Sequence, residues 1–219
     1  MSAMPAPPRS TLGRPKDPAK RAAILASAKQ LFAEHGFDGV SMDQIAQAAG
    51  VSKLTVYSHF GDKDGLLTET VRAHCEQELP MELFRHSPEI GLRERLLEIS
   101  RAFYAMVGCP EAVAGHRMLC APNAISPAMA ERFWEAGPAR IQSGLAELLQ
   151  RRVESGELAI DDPDEAASHF FALIKGEPHA RLIIGHPQPL QEATITRHLT
   201  SGVDLFLRAY RAAPCSPQQ

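Results

Sequence analysis

The sequence predicts an all-α protein, built as an N-terminal three-helix unit of helix-turn-helix type followed by a larger helical domain. Three observations carry this. Helix formers (Ala, Leu, Glu, Arg, Gln) recur along the whole chain, and no Val-, Ile- or Thr-rich run alternates as a strand would. Apolar residues return every three or four positions in one segment after another. The segments are bounded by helix start and stop signals, Ser or Asp before them and Gly or Pro after them.

The first helix is expected from about Pro18 to His35, with Ile24, Leu25, Ala28, Leu31 and Phe32 forming a wide apolar stripe. Gly36 is expected to close it in a left-handed cap, with Phe37 folding back onto it. Asp38-Gly39 is a turn signal. Two short helices follow in SMDQIAQAAGVSKLTVYSHFGDKDG, residues 41–65. Ser41 and Gln44 can form a capping box, and Ile45, Ala46 and Ala49 give the first of these helices its inner face. Gly50 supplies the turn, Val51 can fill the gap, and Ser52 caps a helix from Lys53 to about His59. That helix shows Lys53, Thr55, Tyr57, Ser58 and His59 around Leu54. So little apolar face makes a poor core element but suits a helix lying in a DNA major groove, propped by the one before it.

Phe60 closes this small core, Gly61 turns the chain, and Asp62 caps a fourth helix to about Leu79. Further on, Leu92, Leu96, Ile99, Phe103 and Val107 define a helix ending at Gly108-Cys109-Pro110. A short helix from about Ala112 to Cys120 is broken by Ala121-Pro122-Asn123. The next starts at Pro127 behind Ser126 and runs to about Ser155, with a kink or restart at Gly137-Pro138. Another spans Asp164 to Lys175. Gly176 to Pro189 reads as a loop holding at most one helical turn, Ala180 to Ile184. The last long helix is Leu190 to Ala212. The expected organisation is an arm at 1–17 and a tail at 213–219, both disordered, a helix-turn-helix domain at 18–65, and a second domain at 66–212.

The charge balance fits local contact with nucleic acid. The chain carries a net charge of −3, but residues 1–21 hold Arg9, Arg14, Lys16, Lys20 and Arg21 against Asp17 alone. Residues 1–72 hold 9 Lys/Arg and 7 Asp/Glu, whereas residues 73–219 hold 14 and 19. A basic arm ahead of a mildly basic unit, joined to an acidic body, is the electrostatic footprint of phosphate binding at one end. Four cysteines (Cys75, Cys109, Cys120, Cys215) fall at no metal-ligand spacing, and thiols in a reducing cytoplasm are expected. No signal-peptide pattern and no membrane-length apolar run is present, so a cytoplasmic protein without a membrane partner is expected. Catalytic signatures (GxSxG, a Walker loop, GxGxxG after a strand, HExxH) are missing, which argues against an enzyme; no cofactor is expected.

The stretch AAILASAKQLFAEHGFDGVSMDQIAQAAGVSKLTVYSHFGDKDGLL resembles the N-terminal DNA-binding domain of the TetR family of transcriptional regulators, over residues 18 to about 70. The resemblance rests on the helix ending with GF.G, the SMDQIA..AGVS turn unit and the Y.HF..KD.L closing motif. It implies a dimeric one-component repressor, with an operator-binding domain and a divergent domain that binds a small molecule. The stretch FWEAGPARIQSGLAELLQRRVESGEL is similar to the ligand-binding domain of a TetR subgroup linked to efflux control.

Matching positions imply that Lys53 and Thr55 approach base edges. By the same matching Tyr57, His59 and Lys63 contact phosphates, Lys63 beside a helix N-terminus, and Ser41 offers its backbone N–H to one. The helices that enclose the family's central cavity contribute Phe103, Tyr104, Val107, His116, Leu119, Cys120, Phe133, Trp134, Phe170 and Lys175. Trp134, Tyr104 and His116 are the candidates for orienting a ligand, although any one apolar residue here would equally serve as plain core. His116 and Cys120 lie one turn apart, but two ligands make no metal site, and none is expected. Dimerisation is expected through Phe171 and Ile174 on one helix and Leu199, Val203, Phe206 and Tyr210 on the last, the alternative being an internal core. The partners expected are thus a double-stranded palindromic operator, a second copy of the chain and a small lipophilic effector that lowers DNA affinity through the helix from Asp62 to Leu79. A helical small-molecule carrier or enzyme with a non-functional DNA-binding unit is the alternative.

Overall fold

The computed structural model describes residues 17–85, 89–121, 125–186, 188 and 190–212. The expected basic arm (Arg9, Arg14, Lys16), the tail and Cys215 lie outside the described residues. The fold is all-α. Its helices are α1 (Pro18–His35), α2 (Met42–Ala48), α3 (Lys53–Phe60), α4 (Lys63–Glu78), α5 (Leu92–Gly108), α6 (Pro110–Leu119), α7 (Pro127–Ala136), α8 (Pro138–Glu154), α9 (Pro163–Ile184) and α10 (Glu192–Tyr210). A 3-10 turn at Met81–Phe84 follows α4. The one bridge among the described residues, Leu158 to Arg211, ties the exit of α8 to the end of α10.

Two apolar cores organise the helices. The smaller holds Ile24, Leu25, Ala28 and Phe32 of α1, Ile45 and Ala46 of α2, Val56 and Phe60 of α3, and Leu66 and Leu67 of α4. The larger gathers α5, α8, α9 and α10, with Leu96, Ile99, Leu145, Leu149, Phe170 and Phe206 almost wholly out of water. Helix α4 takes part in both. Its first turns, Leu66 and Leu67, sit in the smaller core, and Cys75 packs against the larger one, where Leu79 is buried. Met118 at the end of α6 and Met129 of α7 also reach the smaller core, so α6 and α7 grip the first domain from behind.

Capping chemistry accounts for the local boundaries. Asp17 accepts from the Ala19 N–H and Pro18 opens α1. Ser41 and Gln44 form the reciprocal capping box on α2. Ser52 caps α3 and Asp62 caps α4 through the Gly65 N–H. Gly36 does take a positive φ, but its φ 72 and ψ 172 lie outside the left-handed helical region, in a conformation that glycine alone adopts readily. Phe37 still folds back, its ring 5.7 Å from that of Phe32.

Two boundaries differ from the sequence reading, while the restart expected at Gly137-Pro138 is present and leaves α7 and α8 separate. Pro110 does not merely end α5; it is the first residue of α6, where its missing N–H costs nothing. The expected loop after Lys175 is a continuation of α9 to Ile184 beyond a break at Gly176. Pro178 falls in the first turn after that break, where it needs no intrahelical donor.

The dimerisation residues read from the sequence lie largely within the chain's own core. Phe171, Ile174, Leu199, Val203 and Phe206 are all at most 8% exposed within a single chain. Tyr210 stacks on Phe206 at 4.8 Å and bonds to His169 Nδ1 at 2.9 Å. A regular apolar stripe serves its own core first, and these residues do so here. The outward face of α10 instead shows Arg197, Ser201, Leu205 and Arg208, with Leu205 46% exposed. Alongside it, α9 shows Ala180 and Ile184, the latter 75% exposed.

Candidate nucleic-acid interface and ligand cavity

Helix α3 is anchored by two residues, Val56 and Phe60, one turn apart on its inner side. Everything else on it is turned outward to some degree, and Leu54 is 78% exposed. Tyr57 is exposed, while Thr55 is half-buried and shares a 2.8 Å hydroxyl contact with Ser52. Lys53 Nζ donates to Asp43 Oδ2 of α2 at 2.7 Å, and that carboxylate holds its ammonium above the usual lysine range. A base or phosphate therefore competes with Asp43 for the Lys53 ammonium. His59 packs its ring against Phe60 at 5.8 Å. Lys63, in the first turn of α4, sits 4.3 Å above the Phe37 ring, so its ammonium is steered by a cation–π contact.

Ser41 is placed differently from the expectation. Its backbone N–H already donates to Gln44 Oε1 at 2.7 Å, so the capping box occupies the group assigned to phosphate. On the inner side of α3, Arg21 of α1 pairs with Glu69 of α4 and lies 5.5 Å from the Phe60 ring. These contacts lock α1, α3 and α4 together behind the exposed side of α3.

A cavity of about 450 Å³ opens between the two cores. Phe103 and Val107 of α5, His116 and Leu119 of α6, Phe133 and Trp134 of α7, and Lys175 of α9 line it, as the sequence reading expected for them. Three others are elsewhere. Tyr104 lines a separate hollow of about 320 Å³ with Arg181 and Leu182. Phe170 is sealed in the larger core, and Cys120 is exposed beyond the end of α6. The cavity also takes residues the sequence reading missed: Lys29, Phe32 and Ala33 of α1, Thr70, His74 and Cys75 of α4, Phe171 and His179 of α9. A signal for some of them was present. Thr70 and His74 follow Leu66 at four-residue steps, so polar groups interrupt the buried face of α4.

Electrostatically the cavity has two parts. In one, Glu111 is held below the usual carboxylate range, chiefly by hydrogen bonding, with Lys29 and His74 adding to it. His74 Nε2 lies 3.2 Å from the Met106 carbonyl, and burial keeps its imidazole below the ordinary histidine range. Burial also pushes the Cys75 thiol up to about 11, which leaves it unreactive. In the other part, the rings of His116 and His179 meet edge to face at 5.5 Å. Both are held below the ordinary range by burial and by the nearby Lys175 charge.

Helix α6 joins the cavity to the DNA side. Its wall residues include Glu111, His116 and Leu119, while Met118 Sδ accepts from the Phe37 N–H at 3.0 Å. Arg117 donates to the Leu182 and Ile183 carbonyls at 2.6 and 2.7 Å, pinning α6 to the end of α9. Among the described residues no helix is long and apolar enough to cross a membrane.

Comparison with known proteins agrees with this arrangement. Residues 94–212 match the family model described as AefR-like transcriptional repressor, C-terminal domain. Residues 24–70 match the one described as bacterial regulatory proteins, tetR family. The regulator RutR of Escherichia coli K12 is 31% identical over 162 residues, covering 70% of this chain and 71% of RutR. A solved TetR-family regulator from Mesorhizobium loti superposes with a TM-score of 0.75 at 28% identity, covering 90% of this chain and 100% of that one. The flavonoid-responsive regulator FrrA gives a TM-score of 0.69 at 32% identity, covering 90% of this chain and 98% of its own.

Proposed function

The chain belongs to the TetR family of transcriptional regulators and is a ligand-responsive repressor, not an enzyme, and from that premise we propose how it binds DNA and what releases it. It acts in the cytoplasm as a homodimer on a palindromic operator. Thr55 and a Lys53 freed from Asp43 approach base edges, and Tyr57, His59 and Lys63 contact the flanking phosphates. Ser41 has no direct part; its role is to cap α2. Two copies are needed because one eight-residue helix offers few contacts, and a two-fold pair doubles them. The pairing surface is the outward face of α9 and α10, around Ala180, Ile184, Ser201 and Leu205, which the intrachain core leaves free.

The observation that carries the regulatory half is the cavity's double lining. Lys29, Phe32 and Ala33 belong to the DNA-side helix α1, and Phe103, Phe171 and Lys175 to the other domain. A small aromatic or lipophilic molecule there touches both domains at once. It can shift the angle between them only as far as it binds one arrangement better than the other. The levers are α4, which runs through both cores, and α6, which carries the cavity wall to Phe37. FrrA, a neighbour of the same fold, is named for response to flavonoids. A polycyclic aromatic effector also suits walls of Phe103, Phe133 and Trp134.

The test is to sequence genomic fragments retained by the purified protein and by Tyr57→Phe and Lys63→Gln variants. Affinity for the retained site should fall in both variants with the helical content unchanged. For Lys63→Gln the slope of log affinity against log salt should shrink by about 2 for a dimer. Retention without sequence preference, or variants that bind like the parent, would overturn the assignment.

A further inference from the structure

The charged lining of the cavity is unequal, and the inequality specifies ligand chemistry. Glu111 is its lining carboxylate among the described residues, and the charges acting on it are Lys29 and His74. That part is internally balanced. In the other part, Lys175, His116 and His179 face one another with no acidic group acting on any of the histidines. No carboxylate of the described residues pairs with Lys175. His179 is 7% exposed, and the only favourable influence on its protonated form is the Val107 carbonyl. The two rings stand edge to face, 5.5 Å apart, with Phe171 lining the same space. An ammonium beside two imidazoles, set against aromatic walls and without a counter-ion among the described residues, is an anion seat at the edge of an apolar chamber.

Building on the repressor reading above, we propose that the effector is an amphipathic organic acid, its carboxylate seated against Lys175, His116 and His179 and its apolar body lying between Phe103, Phe133 and Phe171. The carboxylate supplies the missing counter-charge. It also reverses the electrostatics of the histidines, since a bound anion favours the imidazolium that Lys175 and burial oppose. Binding of the anion therefore takes up protons. Affinity for the acid rises as pH falls towards the histidine range and is lost as pH rises above it. The other lining groups that titrate are Lys29 from α1, His74 and Cys75 from α4, and Glu111 from α6; the charge acting on His116 is Lys175, and those acting on His179 are His116 and Lys175.

The chain reports on this site by itself. Trp134 is its single tryptophan and lines the cavity, so its fluorescence follows occupancy. The full-length protein is titrated with 6-phenylhexanoate, 6-phenylhexanamide and 6-phenylhexan-1-amine, which share one skeleton and differ in head-group charge. The acid should bind at least tenfold more tightly than the amide, and the amine more weakly still. Lys175→Gln and His116→Gln, both at exposed positions, should keep the circular dichroism of the parent and lose most of that preference. Lys175→Glu should reverse it towards the amine. Between pH 8 and pH 6 the acid's affinity should rise several-fold while the amide's stays level. Equal binding of acid and amide, no binding of the acid, preference unchanged in both glutamine variants, or parallel pH profiles would each overturn the proposal. Operator binding is measured on the same samples without probe. Selective DNA binding beside indifferent acid binding sinks this inference and leaves the repressor reading standing; selective acid binding without selective DNA binding does the reverse.

Discussion

Replacing Gly176 by alanine should cost this protein stability through both backbone strain and a side-chain clash. Gly176 has φ 44 and ψ −155, inside α9 but far from helical, a region that a Cβ makes strained. Holding an alanine there costs about 1–3 kcal/mol. The added Cβ would also lie 2.6 Å from His198 Cε1 and 3.1 Å from its Nε2. His198 Nε2 makes a 3.0 Å contact with the Ile174 carbonyl, which links α10 to α9. Pushing that ring aside forfeits about 0.5–1.5 kcal/mol more. Together the loss is about 1.5–4.5 kcal/mol. Urea unfolding at fixed protein concentration, followed by circular dichroism, should show the midpoint falling with the slope unchanged. Gly115→Ala in α6 is the control, because nothing lies within 4 Å of its added Cβ and its backbone is helical. It should be neutral or stabilise by up to about 1 kcal/mol. A loss below about 0.5 kcal/mol for Gly176→Ala, or equal effects in the two variants, would refute the reasoning that this break is held by glycine geometry and the packing of His198.

Three other outcomes are expected. Leu205→Glu, on the outward face of α10, should shift the protein to monomer in sedimentation without loss of helix, whereas Phe206→Ala, 1% exposed, should destabilise the fold by about 3–5 kcal/mol; dimers unaffected by Leu205→Glu would remove that face from the interface. Asp43→Asn should free Lys53 and raise operator affinity a few-fold at low salt, with the gain vanishing at high salt, as measured by fluorescence anisotropy. Ser41→Ala should lower thermal stability by about 1 kcal/mol through the lost capping box, and should weaken DNA binding no more than that loss of order in α2 explains.

The first domain was legible in the sequence because each of its boundaries has a local chemical cause. Asp17-Pro18 starts α1, Ser41 with Gln44 starts α2, Ser52 starts α3 and Asp62 starts α4, and side-chain oxygens do the capping at each. The continuation of α9 was hidden because Gly176 and Pro178 are both breakers by local rules. Only the packing of His179 beneath α6, and of Arg117 on the end of α9, shows why the segment stays helical. The burial of the expected dimerisation residues inside the chain was hidden for a related reason. Periodicity identifies a buried stripe, but not whether the partner is another helix of the chain or another chain, and Phe206 has Phe170 at 5.2 Å within its own core. The cavity was legible on α5, α6 and α7, where aromatic and polar residues mix. It was hidden on α1, where Phe32 looks like ordinary core from the sequence and serves as both core and cavity wall.

The central claim is that filling one cavity, shared between two domains, loosens a two-fold grip on DNA. The most direct measurement titrates the full-length protein onto a labelled fragment carrying a retained genomic site, by anisotropy and by sedimentation, with and without a molecule that quenches Trp134. The account predicts saturation at two chains per palindrome, and release at the same effector concentration that quenches Trp134. Saturation at one chain per site, or quenching that runs to completion while the DNA stays bound, would contradict it.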